Sequence, residues 1–299
     1  MIYTIENDQL KISADTAGAQ LMSVYSKKTE TEYLWQSDPA YWTGRAYNLF
    51  PFIGRMYEGV FTYGGKTYPS RAHGLARYFE FTLEEQTETS LTFVMKDSEE
   101  TNKEYPFSFE FRVYFELCGN TLTTRYTVTN TDSRELLCAF GGHPGINVPF
   151  GGKQGDTSEA FEDYYLEFDR ATDVKQQLLG EKSPYMIDKS VPYPLENGVR
   201  LPLSHELFSN DAVILENTSG CVSLRSAKSA RYVTMHYEGF PFIGFWQILK
   251  AGAPYVCLEP WSALPAVRGK IVELETKPHM TRVAPDKTAS MAFTLEIHE

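Results

Sequence analysis

Phe107, Phe109, Phe111, Val113, Phe115 and Leu117 alternate with Ser108, Glu110, Arg112, Tyr114 and Glu116. A period of two with one apolar side is the mark of a half-buried β-strand. The short CGN stretch that follows supplies a turn, and Leu122, Thr124, Tyr126 and Val128 carry the alternation into a returning strand. The same design, two alternating runs about a polar turn, recurs in YFEFTLEEQTETSLTFVMKD, VILENTSGCVSLRS and ARYVTMHYEGFPFIGFWQI, and a last run is SMAFTLEIHE. No window longer than about ten residues has a helical period, and SDPAYW and SHELFSND are the short helical candidates. Many alternating strands without long helices predict an all-β fold, a large antiparallel β-sandwich built as sequential hairpins. The Gly- and Pro-rich stretch GGHPGINVPFGGKQGDTSEAFED reads as a long functional loop, because the strand patterns on its two sides are of one kind, and residues 1–299 then form a single domain.

Composition agrees with a large core: 42% of the 299 residues are hydrophobic and 14% aromatic. The formal charge of -11 repels a phosphate backbone, so no nucleic acid partner is expected. No stretch approaches the roughly 20 apolar residues that span a bilayer, and the N-terminus has neither a basic start nor an apolar run. A cytoplasmic protein without a membrane partner is the expectation. Cys118, Cys138, Cys221 and Cys257 are scattered, without a C-x-x-C pair, and are read as reduced and mostly buried.

G-x-S-x-G, a Walker loop, G-x-G-x-x-G after a strand and H-E-x-x-H do not occur, which removes support for the common serine hydrolases, P-loop enzymes, Rossmann dehydrogenases and zinc proteases. Three stretches break the alternation with polar residues in tight backbone settings: NLFPFIGRMYEG, SRAHGLAR and GGHPGIN. His73 and His143 stand beside glycines, where a loop can present an imidazole to a cavity; a structural histidine is the competing reading. Arg55 lies in an apolar stretch and needs a ligand or a salt-bridge partner. Asp211 precedes an apolar strand, where aspartate is often a turn or cap residue. Glu259 ends the apolar run YVCLEPW ahead of Pro260, a strand stop. It is either a desolvated carboxyl suited to a general base or an edge-strand glutamate facing water.

Taken together, the run IGRMYEGVFTYGGKTYPSRAHG and the order of these residues along nearly the whole chain resemble the aldose 1-epimerase (galactose mutarotase) family. The resemblance implies a single galactose mutarotase-like supersandwich, with Glu259 as general base and His143 as general acid. It also implies that Arg55 and His73 bind substrate and that Asp211 holds sugar hydroxyls. GRMYEG replaces the usual Asn-Arg-Ile segment, HGLAR replaces His-Gly-Gly, and Asp211 precedes Ala212 where the family has a histidine. These differences are similar to those of a divergent branch associated with lactose-utilisation genes.

The chemistry accounts for the residue types. Interconverting α and β anomers takes a proton from the C1 hydroxyl and gives one to the ring oxygen, so one base and one acid suffice, without metal or redox cofactor. The partner is then a small-molecule sugar, an aldohexose or a derivative. Phe52, Trp246 and Trp261 are candidates to cover the apolar face of a pyranose, with core packing as the other reading. The glycines around His143 would let the backbone approach the sugar, with Pro144 stiffening the loop. Two other functions fit the same residues: a non-catalytic carbohydrate-binding or sensing protein, and a glycoside hydrolase using Asp211 and Glu259 as its carboxylate pair. Arg45, Arg71 and Arg77 are either surface residues or ligands of a phosphorylated sugar.

Overall fold

The computed structural model describes residues 1–151, 158–249 and 252–299, and of residues 171 and 172 the backbone only. Two large antiparallel sheets face each other, one of nine strands and one of seven, and three small sheets lie around them. Among the described residues the helical segments are short 3-10 turns, one of which, His205–Phe208, falls in the candidate SHELFSND; SDPAYW forms a turn.

The hairpin first read from the sequence is the centre of the nine-stranded sheet. Phe109–Cys118 pairs with Thr121–Asn130 in the register Phe109↔Asn130 to Cys118↔Thr121. Phe109, Phe111, Val113, Phe115 and Leu117 are all buried on its inner face. Thr82–Gln86 with Ser90–Lys96 is a second such hairpin, and Thr288–His298 closes against Thr121–Asn130.

Two other expected hairpins do not exist. Val213–Thr218 belongs to the seven-stranded sheet and Cys221–Ser226 to the nine-stranded one, and Tyr232–His236 and Phe242–Trp246 divide the same way. The turns between them are corners at which the chain changes sheets. Alternation reports that one face of a strand is buried; it does not report which strand lies beside it.

The seven-stranded sheet runs in space Met186–Pro192, Ala171–Leu179, Val213–Thr218, Phe242–Trp246, Tyr255–Trp261, Gly141–Asn147, Ala46–Leu49. GGHPGIN is therefore an interior strand and not a loop, while 152–157 of the expected loop lie outside the described residues. Pro260 does not stop its strand either: Tyr255–Trp261 is flanked on both sides, with Ile243 opposite Pro260. The inner face of this sheet, including Leu215, Ile243, Phe245, Val256 and Leu258, joins the aromatic face of the other sheet in one hydrophobic cluster. Asn48, 3% exposed, ties the two layers: its side chain donates to the carbonyls of Gly18 and Ala19 and accepts from the Tyr126 hydroxyl at 2.9 Å. The four cysteines are free; Cys138 and Cys257 are buried, Cys221 is half-buried, and Cys118 is exposed, against the expectation that most would be inside.

Candidate active site

The outer face of the seven-stranded sheet carries the site, and strand parity decides which residues reach it. Gly141 pairs with Trp261 and Gly145 with Cys257, a register that sets His143 opposite Glu259. Tyr47 pairs with His143 on one side, Gly244 with Glu259 on the other, and Ile214 with Gly244 beyond. Tyr47, His143, Glu259, Gly244 and Ile214 thus form one row across five strands. Above the row lies a cleft of about 310 Å³, also bounded by Trp42, Arg55, His73, Arg77, Asp211 and Trp246. That volume is in the range of small-molecule sites.

His143 and Glu259 are 7% and 1% exposed, and Nε2 of the imidazole lies 3.2 Å from Oε1 of the carboxyl group. The imidazole is held by aromatic rings, stacked on Trp42 at 5.1 Å and edge-on to Tyr47 and Trp246. Among the described residues His143 Nδ1 and Glu259 Oε2 have no hydrogen-bond partner, although they are buried. A buried polar atom left without a partner is costly, and the Trp261 indole is the donor nearest to hand for Glu259. Burial disfavours both charges. It raises the Glu259 carboxyl well above the usual carboxylate range, and nearby Asp211 adds to the shift. Burial likewise lowers His143, to about 3, with a further contribution from the Arg77 cation. The pair therefore holds a single proton over a wide span of pH and titrates as a unit.

Two loops bring further polar groups, each through a residue in the left-handed region that non-glycine side chains seldom occupy. His73 has φ 64° and Asp211 φ 74°; such strain concentrates at functional sites. His73 Nδ1 accepts the Gly54 N–H at 3.2 Å, so its proton resides on Nε2, and burial keeps it neutral, with the Arg77 and Arg55 charges acting in the same direction. Gly74 beside it is obligatory, because a Cβ there would stand 2.5 Å from the Phe50 carbonyl oxygen. Asp211 is raised by burial and opposed by the Trp246 indole, its own neighbour Ala212 and Arg55.

The cleft thus gathers Glu259, His143, Arg55, His73, Asp211 and Trp246, together with Trp261. Phe52 is not among them; it packs in the core against Phe61 and Tyr105. The glycines next to His143 serve packing rather than approach of a sugar. A Cβ on Gly142 would lie 2.6 Å from the Phe293 ring in the opposite sheet, and one on Gly145 3.2 Å from Trp35 and Trp42. Glu259 is central and buried, not an edge residue facing water. Sequence reasoning missed Trp42 and Tyr47 and left Arg77 between surface and site. Only the pairing of distant strands brings them together. By distance His143, Cys257 and Glu259 could also hold a metal ion, their donor atoms lying within 4.8 Å of one another. The first and last of these are the same acid–base pair.

A β-sandwich with an imidazole–carboxyl pair on the floor of a polar and aromatic cleft is the arrangement to be compared with known proteins. Comparison with known proteins gives the family. The Aldose 1-epimerase family model matches residues 1–268, and the chain belongs to that family of sugar epimerases. It is 34% identical over 305 aligned positions to Protein LacX, plasmid, of Lactococcus lactis subsp. lactis, covering 99% of each chain. Among solved structures it is similar to a galactose mutarotase related enzyme from Lactobacillus acidophilus, with TM-score 0.94, 35% identity and coverage of 100% of this chain and 98% of that one. A galactose mutarotase-like protein from Lactobacillus casei ATCC 334 gives TM-score 0.92 and 30% identity, with all of both chains covered.

Proposed function

We propose that the protein is a mutarotase, interconverting the α and β anomers of an aldohexose or a derivative through the open-chain aldehyde. The observation that carries this reading is the buried contact of 3.2 Å between His143 Nε2 and Glu259 Oε1 on the cleft floor. When a pyranose enters, the shared proton resides on His143 and Glu259 is the carboxylate. Glu259 takes the O1 proton, the O1 electron pair forms the C1 carbonyl, the C1–O5 bond breaks, and O5 takes the proton from His143. This leaves Glu259 protonated and His143 neutral, the distribution that burial favours. Rotation about C1–C2 and the reverse transfers close the ring on the other face of C1.

Both reacting oxygens are bonded to C1, so an acid and a base in hydrogen-bonding contact suit them. His73 donates through Nε2–H, and Arg55 and Asp211 bind ring hydroxyls. Trp246 covers an apolar face of the sugar. The chain then acts as one domain, in the cytoplasm.

The test is the decay of optical rotation of freshly dissolved α-galactose and α-glucose. We expect acceleration by the wild type and a loss of about 10²–10⁴-fold in Glu259→Gln and in His143→Asn, the usual worth of one proton-transfer group. Equal rates for wild type and both variants would refute the assignment. Binding of sugar by calorimetry without any acceleration would mark a binding or sensing protein instead.

A further inference from the structure

A second cavity, of about 440 Å³, adjoins the sugar cleft, and the two share Pro265 alone among their lining residues. It lies between the edge strand Met186–Pro192 and the chain from Leu264 to His279. Backbone bonds from Met186 N–H to Ala266 and from Arg268 N–H to Met186 hold these two walls together. The rim carries the exposed Asp188, Lys270, Ile271 and Glu273, and the inner part consists of the buried Met186, Pro265, Ala266 and Lys277. That inner lining is apolar except for one group. Among the described residues Lys277 is the one lysine or arginine that is buried, at 9% exposure. The arginines singled out in the sequence lie elsewhere: Arg71 pairs with Glu104, and Arg45 is held by Ser37, Gln36 and the Met22 carbonyl. Arg77 lies over the Tyr47 ring in the sugar cleft.

An ammonium group has three N–H donors. One donor of Lys277 goes to the Leu264 carbonyl at 2.7 Å, its one hydrogen-bond partner among the described residues, and none of their carboxylates stands within salt-bridge distance of it. Asp188 is engaged with Lys270 at 3.5 Å, and Glu273 lies in solvent. A buried cation without an anion is costly. An anion with an apolar body of its own offsets that cost by pairing with Lys277 and stabilises the complex further by covering the apolar wall. A planar carboxylate has two oxygens for the two donors left, and its single charge matches the single cation. A phosphate dianion brings a second charge, which the carboxylates of the rim repel. We propose that this cavity is a second small-molecule site and that its occupant is a carboxylic acid with an apolar body. The carboxylate pairs with Lys277, and the body lies against Met186, Pro265, Ala266 and Val267. The proposal does not depend on the mutarotase reading.

The experiment is calorimetric titration of the full chain with hexanoate, phenylacetate, 1-hexanol and hexylamine. We expect saturable one-to-one binding of an acid, tighter than that of the alcohol by about 10–100-fold, the worth of a charge-assisted hydrogen-bonded contact, with the amine weakest. Lys277→Met should remove the difference between acid and alcohol, and Lys277→Arg should keep part of it. Burial lowers Lys277 from 10.5 to about 8, and a bound carboxylate raises it again, so binding at pH 8.5 takes up protons. Titration in two buffers of different ionisation enthalpy reads this uptake. Asp188, Lys270, Glu273 and His279 also line the cavity, and uptake that persists in Lys277→Met would belong to one of them and overturn the role of Lys277. Methyl NMR places the acid. Shifts at Met186 and Ile271 are expected, and shifts at Ile214 and Ile248 of the sugar cleft in their stead would overturn the proposal. So would the lack of saturable binding of either acid, or equal affinity for acid and alcohol. These last comparisons are made on the wild type and hold whether or not Lys277→Met folds.

Discussion

At the scale of single residues, the site is built on withheld charge. His143 and Glu259 are each shifted toward the neutral form by the same burial, so the pair gains a second proton only as the pH approaches about 3 and loses its last one well above the carboxylate range. Below the first limit no base remains; above the second no acid remains. The kcat/KM profile should therefore stay level as pH falls through 6.5, where an exposed histidine would titrate. An inflection near 6.5, measured on the wild type across pH 4–8, would contradict it. Much of this was legible: His143, Glu259, Arg55, His73 and Asp211 all reach the cleft. Their residue types and turn-prone neighbours single them out. The reasons given for the setting were not all right, because glycine beside a histidine looks alike in sequence whether it admits a ligand or a packed ring.

At the scale of elements, the strand Gly141–Asn147 shows the cost of that ambiguity. Gly142 is demanded by the opposite sheet, where Phe293 and Tyr126 fill the space a Cβ there would take, and Gly145 by Trp35 and Trp42 on the other face. Gly142→Ala should destabilise the protein by about 1–3 kcal/mol, as overpacked cores do, and should displace the neighbouring His143. Thermal denaturation together with turnover checks this; an unchanged melting temperature would mean the layers have room to spare. Strands with a strict period of two were readable, Phe109–Cys118 above all. Glycine-rich Gly141–Asn147 has no apolar alternation to detect, since it is buried on both faces. The sheet changes at Ser219–Gly220 and between His236 and Phe242 were unreadable for another reason: pairing is a tertiary property. Arg77 follows from the same limit, because HGLAR does not say which strand's tyrosine its last residue will cover.

At the scale of the whole molecule, stability carries one titration that the site does not use. Lys277 is 9% exposed, and its ammonium donates to the Leu264 carbonyl at 2.7 Å. Burial lowers it from 10.5 to about 8. Between about 8 and 10.5 the unfolded chain binds more protons at this group than the folded one. Stability contributed by Lys277 therefore rises with pH across that window, by up to about 3 kcal/mol. Denaturant titrations at pH 7.5 and 10 should show the wild type gaining on Lys277→Met; a constant difference between the two would remove Lys277 from the balance. The broad plan of the molecule, sheets packed face to face with few helical turns, was legible because alternation and the lack of a helical period both follow from backbone geometry.

The row of residues under the cleft runs Tyr47, His143, Glu259, Gly244, Ile214, and so joins chain segments made at widely different times during synthesis. Closing such long loops is slow, and the entropy is recovered only when the last partner is in place. A nascent or truncated chain that ends before Tyr255–Trp261 has His143 and lacks Glu259. Such a chain cannot close the imidazole–carboxyl contact: the cleft floor is complete only once Tyr255–Trp261 lies between Phe242–Trp246 and Gly141–Asn147.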